Sequence, residues 1–447
     1  MNALKLILIL AFSISVSACS STYNLPKPPN IYNNQSPYPS ENIGPDKQSA
    51  ISEILYVTDR GPKKLEDGSL KYTDRRSQIM RYGVGRVEIG ENKSWNDIVA
   101  AANSDIDRIK MEETLHSISP ESEFPSTPLL FKVVNGVGAI DPEQLRAYEA
   151  AREDFKGFVR EALSNSAKKE VVIFIHGFNT SFEEALFVTN DIYHYTGRSV
   201  VPIAYTWPSD DGNLFGYFHD QGSAEYTIYH LKEFFRSLMA MPEIDRIHVI
   251  AHSLGTQATT SAFRELLIET RASGKNPRET FKIANLIMAA PDIDYGVATQ
   301  RLIAERFAAG FERVTVYTNP KDKALSLSGL LQSGLRFGKL LPSEEGEPQK
   351  EIFEQVRNVN FVTLNSSTAG FTNHGYFTKN PAALSDVITL INNPSDPGTA
   401  ARPLVNVGGN FWELDKDYLK PSPEALSIID QNASPVAACS EENPCGK

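Results

Sequence analysis

The chain is 447 residues long, 41% hydrophobic and 22% charged, a globular composition with room for one large α/β domain and additions. Its net charge of −11 at pH 7 and pI near 5.4 exclude the broad basic face that a nucleic-acid partner needs.

At the N-terminus, Lys5 precedes an apolar run from Leu6 to Val16, which closes on small residues before Cys19. That is the layout of an export signal, and the run is too short for a mature transmembrane helix. Val16-Ser17-Ala18-Cys19 resembles the bacterial lipobox, which implies a signal peptide over 1–18 and a lipid on the Cys19 sulfur. Cleavage near Ala18 without a lipid is the alternative. The lipobox reading places the chain at the cell envelope, anchored in a membrane by its N-terminus. Ser20 after the cysteine points to the outer membrane, facing the periplasm.

Residues 19–50, rich in Pro, Asn, Ser and Tyr, are expected to form a disordered tether. A strand is expected over Ile51–Val57, then a turn at Asp59-Arg60-Gly61-Pro62, and a second strand over Tyr82–Ile89. Asp141-Pro142-Glu143 opens a helix over 141–165.

From residue 169 strands and helices alternate. Strands are expected at Val171–Ile175, Ser199–Tyr205, Arg246–Ala251, Lys282–Ala289, Arg313–Tyr317 and Asn360–Leu364. Helices are expected at Ser181–Tyr195, Ala224–Met239 and Leu254–Arg271. Unbroken apolar strands joined by helical crossovers give an α/β fold: a mostly parallel central sheet with helices on both faces. The domain is expected over 51–395, with N-terminal strands and a helical insertion at 51–168 and a catalytic core at 169–395. Residues 396–447 read as a loose tail, in which Cys439 and Cys445 are spaced for a small disulfide loop.

The strand Arg246–Ile250 runs directly into Ala251-His252-Ser253-Leu254-Gly255 and a helix, which is the arrangement of a nucleophile elbow. The turn is so tight that its flanking positions must be small, and it presents the Ser253 hydroxyl outward. A serine hydroxyl needs a base, and in this fold acid and base follow the serine in chain order. Of the eight histidines only His374 follows Ser253, just past the last strand, so it is the candidate base. Asp322, shortly after the strand ending at Tyr317, is the candidate acid; Asp292 and Asp294, after the preceding strand, are the alternatives. The His176-Gly177-Phe178-Asn179 loop follows the first central strand, where a backbone N–H joins an oxyanion hole. The amides of Phe178 and Leu254 are the candidates for that role, with His176 and His252 as packed side chains. His116, His194, His219, His230 and His248 show no ligand spacing, so neither a metal nor a cofactor is expected.

Leu55–Arg60, the His176–Asn179 loop, Thr206–Ser209, the elbow, Ala289–Asp294 and Lys321–Leu325 together resemble a bacterial α/β-hydrolase family of unknown function. Its members are described as esterases or lipoproteins, and the resemblance spans roughly residues 51–390. Leu254 departs from it, standing where most members have Met. The resemblance implies the α/β-hydrolase fold and supports the triad Ser253, Asp322 and His374.

The expected activity is hydrolysis of a carboxylic ester, small or lipid-like, through an acyl-serine. An amidase, peptidase or thioesterase with the same triad, or a catalytically idle binding module on the same fold, are the alternatives. Trp207, Phe215, Tyr217 and Phe218 could line an acyl pocket or cover the sheet edge, and Leu325–Leu341 could be a flap or an ordinary helix.

Overall fold

A computed structural model describes residues 23–32, 36–104, 111–210, 214–332, 334–340, 356–364 and 374–419. The strands are β1 (Tyr23–Asn24), β2 (Ile51–Lys64), β3 (Leu70–Ile89), β4 (Glu112–Glu123), β5 (Phe131–Val134), β6 (Val137–Ile140) and β7 (Glu170–Ile175). They continue as β8 (Val201–Thr206), β9 (Arg246–His252), β10 (Ile283–Ala289), β11 (Phe311–Thr318), β12 (Val359–Leu364), β13 (Val405–Gly408) and β14 (Phe411–Leu414).

Twelve strands form one sheet in the order β1-β4-β3-β2-β8-β7-β9-β10-β11-β12-β14-β13, and β5 and β6 form a separate hairpin. Every pairing from β2 across to β14 is parallel, whereas the pairings at both outer flanks are antiparallel. This is the expected α/β architecture. The physical cause shows in β7, whose side chains alternate between two buried layers. Val171, Ile173 and Ile175 enter one core with Phe234, Phe263 and Leu266, while Val172 and Phe174 enter the other with Phe182, Leu186 and Leu390. A strand buried on both faces has no polar alternation to show, hence its unbroken apolar run.

The covering helices follow local signals. Pro142–Ser164 starts on Asp141, whose carboxylate accepts from the Glu143 N–H, and Phe182–Tyr195 starts on a Ser181/Glu184 capping box. The helix expected over Ala224–Met239 is two helices, Leu214–Tyr226 and Ile228–Met239, broken at Thr227.

Three expectations need correction. No turn forms at Asp59–Pro62: β2 continues through it to Lys64, and Arg60 is buried. The tether expectation fails for residues 23–32 and 36–50. There β1 pairs with β4, Tyr38 and Ile43 are buried, and the Tyr195 hydroxyl donates to the Pro26 carbonyl. The tail expectation fails for residues 396–419. There β14 extends the sheet beside β12, and the buried Arg402 guanidinium makes two 2.8 Å bonds to the Asp386 carboxylate. Cys19, Cys439 and Cys445 lie outside the described residues.

Candidate active site

All the candidate residues leave the carboxyl ends of parallel strands, where open α/β sheets place their sites. Register sets this out: Ile175 is level with Ala251, Ala289 with His252 and Tyr317, and Tyr317 with Val362. The carboxyl ends of β7, β9, β10, β11 and β12 therefore lie side by side.

Ser253 follows β9 immediately and has φ 51°, a left-handed conformation unusual for a residue with a Cβ. Its N–H donates to the Ala289 carbonyl at 2.9 Å, and its own carbonyl accepts from Thr256 at 3.0 Å in the first turn of helix Gly255–Ala272. Strand and helix touch the neighbouring loop so closely that glycine is required. A Cβ on Gly255 would fall 2.1 Å from the His176 carbonyl oxygen, and one on Gly177 would fall 2.7 Å from Cβ of Ser253. The His176–Asn179 loop thus lies directly on the elbow. Among the described residues neither the Phe178 nor the Leu254 N–H donates to a protein acceptor.

His374 and Asp322 are brought together. Nδ1 of His374 lies 2.7 Å from Oδ2 of the fully buried Asp322, and the other Asp322 oxygen caps the next helix by accepting from the Leu325 N–H. With Nδ1–H donating, Nε2 of His374 is left to act as a base. Burial pulls the His374 pKa down, but the charge and hydrogen bond of Asp322, helped by Asp292, outweigh it and hold the pKa above the ordinary histidine value. His374 stands beside the elbow, with its ring 4.7 Å from that of His252 and its carbonyl 3.3 Å from Nε2 of His252.

The alternative acids are engaged elsewhere. Asp292 accepts from Tyr217 at 2.8 Å and Ser328 at 2.6 Å, and Arg336 lies 3.4 Å away. Asp294 caps a short helix by accepting from the Val297 N–H. Neither is paired with His374.

His176 and His252 are packed side chains. His176 stacks on Trp207 at 4.8 Å, and its Nε2 accepts from the Trp207 N–H at 3.0 Å. Burial and the neighbouring Arg60 push its pKa well down, so it stays neutral. Burial, with His374 beside it, does the same for His252.

The aromatic residues after β8 divide by role. Trp207 is fully buried against His176 of the His176–Asn179 loop, so it does not line a pocket. Tyr217 packs edge-on against Phe178, Phe218 is 53% exposed, and the Phe215 side chain lies outside the described residues. Of the stretch from Leu325, the described part is not a loose flap. Leu325 and Phe337 are buried, and Gln332 and Ser328 bond the Tyr217 hydroxyl. Ser253 beneath is only 4% exposed.

Sequence reasoning missed two residues that brace this site. Arg60 reads as a turn residue, and Asp220 carries no motif; yet Asp220 accepts from Ser209 and from the Asp210 and Asn179 amides. A signal for Arg60 was available, because the charged pair Asp59-Arg60 directly follows the uncharged run Ile54–Thr58.

Among the described residues no cluster of three potential metal ligands occurs, and no helix is long and apolar enough to cross a membrane. A parallel sheet with a strained serine elbow and a carboxylate-bound histidine at the adjoining strand ends defines an α/β hydrolase. The chain belongs to the α/β-hydrolase family of unknown function DUF900, whose model matches residues 130–393. No curated protein matches the sequence. Among solved structures it is similar to carboxylesterase CesB (YbfK) from Bacillus subtilis, at 13% identity with a TM-score of 0.18. That match covers 44% of this chain and 65% of the carboxylesterase chain.

Proposed function

We propose that this hydrolase cleaves carboxylic esters at the cell envelope through an acyl-Ser253 intermediate. The observation that carries the reading is the 2.7 Å contact of His374 Nδ1 with buried Asp322, formed beside the left-handed Ser253. Nε2 of His374 takes the Ser253 proton as Oγ attacks the carbonyl carbon. The oxyanion that forms is met by the N–H groups of Phe178 and Leu254, the latter at the positive end of helix Gly255–Ala272. Collapse expels the alcohol with the proton from His374. Water, deprotonated by the same nitrogen, then releases the carboxylic acid and restores Ser253. Asp322 holds the ring tautomer throughout. No cofactor enters the scheme, and an N-terminal lipid on Cys19 would hold the enzyme at the outer membrane.

The test is covalent labelling of the purified protein with a fluorophosphonate probe. Labelling that is lost in both Ser253→Ala and His374→Ala supports the reading, and an ester, amide and thioester screen then identifies the bond cleaved. A folded wild type that never labels sinks it and favours the idle binding module, a reading to which the 4% exposure of Ser253 also belongs.

A further inference from the structure

Among the residues that hold the oxyanion loop, one outside the triad reaches both of its ends. Arg60 is 2% exposed, at the point where β2 passes the carboxyl end of β8. Its Nη2 donates to the Thr180 carbonyl at 2.6 Å and lies 3.3 Å from Nε2 of His176. Its Nη1 donates to the Ser209 carbonyl at 3.2 Å and the Thr73 carbonyl at 3.4 Å. One planar cation therefore clasps both ends of the Gly177-Phe178-Asn179 turn and ties it to the segment after β8.

The turn needs such a clasp. Asn179 is left-handed at φ 52°, Gly177 has no side chain to pack, and Phe178 is held at its ring by Tyr217. The Phe178 N–H lies in the Gly177–Phe178 peptide, whose carbonyl oxygen is 2.8 Å from Nδ1 of His176. Its direction therefore follows from the set of the His176 ring and of the chain on to Thr180, and Arg60 contacts both, the ring at Nε2 and the Thr180 carbonyl. His176 is fixed from its other side by Trp207, whose Nε1–H donates to the His176 carbonyl at 2.8 Å. A lysine could not replace the guanidinium, because a point charge lacks the planar fork that reaches several acceptors at once.

We propose that Arg60 is a positioning residue for the oxyanion hole, aiming the Phe178 N–H at the site where charge develops over Ser253. This rests on Ser253 being the nucleophile. Arg60 touches no reacting atom; it acts through the His176–Thr180 backbone. Its contribution belongs to the transition state, so it shows in kcat and little in KM.

The experiment compares full-length wild type, Arg60→Lys and Arg60→Ala for hydrolysis of p-nitrophenyl butyrate and for the rate of fluorophosphonate labelling. Rates are referred to the fraction of folded sites, measured by the labelling endpoint. Arg60→Lys is expected to lose about 10- to 100-fold in kcat with KM almost unchanged, the scale of a misplaced oxyanion donor. Added guanidinium at non-denaturing concentration should restore part of the Arg60→Ala rate and leave wild type unaffected. A per-site rate in Arg60→Lys within about twofold of wild type would overturn the proposal, on the scale expected of an oxyanion-hole effect. Failure of both variants to fold overturns it as well, making Arg60 a folding residue. Absence of labelling in wild type instead removes the Ser253 reading, a result distinct from either.

Discussion

Asp322 and His374, separated by 52 positions in the chain, meet at 2.7 Å because β11 and β12 are parallel neighbours that end level with each other. The contact is buried on the aspartate side, while the histidine side chain is 18% exposed. It sets both the tautomer and the proton affinity of the ring.

A pH dependence follows directly. The base works only when neutral, and Asp322 raises the folded-state pKa of His374, so activity should rise with pH through a midpoint above the ordinary value of about 6.5. In Asp322→Asn the raising charge is gone and burial remains, so the midpoint should move to lower pH. The same change should cut kcat by about 10³- to 10⁴-fold, as loss of tautomer control does in other triads. Profiles of kcat/KM against pH for both proteins check it; an unmoved midpoint would count against the pairing as the cause.

The left-handed backbone of Ser253 makes a second, separable prediction. Glycine adopts φ near 51° without a Cβ clash, so Ser253→Gly should gain about 1 kcal/mol of stability while losing all labelling. Ser253→Ala keeps the Cβ and should stay near wild type. Urea unfolding of the three proteins distinguishes strain at the elbow from a mere loss of hydroxyl contacts.

The C-terminal pair Arg402–Asp386 should be a stability element. Both side chains are fully buried, and Asp386 also accepts from Tyr317 and Tyr418 at 2.6 Å. Arg402→Met leaves an uncompensated buried carboxylate and should cost about 3–5 kcal/mol in urea unfolding at neutral pH. Burial opposes ionisation of Asp386, but Arg402 and the hydrogen bonds prevail and depress its pKa. Its stabilisation is therefore full above the unfolded aspartate value of about 3.9 and is lost as pH falls through the lower folded value. Wild type should lose stability across that acid window, and Arg402→Met much less.

If Cys19 carries the lipid, Cys19→Ser should move the protein from the membrane fraction to the soluble fraction without changing hydrolysis per folded molecule. Retention on membranes after that change would mean that another element anchors the chain.

Much of the site was legible because its parts obey local rules. The elbow needs small residues around Ser253, and the apolar runs from Val171 onward could only be buried strands. His374 followed from chain order alone. The choice of Asp322 over Asp292 and Asp294 rested on position, and the structure shows why they differ: the latter two spend their oxygens on Tyr217, Ser328 and Val297. Misreadings fell where local chemistry points the wrong way. Asp59-Arg60-Gly61-Pro62 has turn composition, but pairings such as Arg60 with Arg76 and Pro62 with Tyr72 carry β2 through it, with a register shift on either side of Arg60. Likewise, the polar stretches at 23–32, 36–50 and 396–419 take their order from distant partners such as Tyr195 and Asp386.

By itself, then, the sequence determined the alternation of strands and helices, the strained serine and the order of the candidate acid and base, because each depends on neighbours along the chain. Only the tertiary structure decided which carboxylate faces His374, that Trp207 bonds the His176–Asn179 loop, and that Arg60 contacts the residues at both of its ends. Those relationships join segments that meet only once the sheet has formed, and hydrogen-bond geometry across such gaps leaves no period or spacing in the chain.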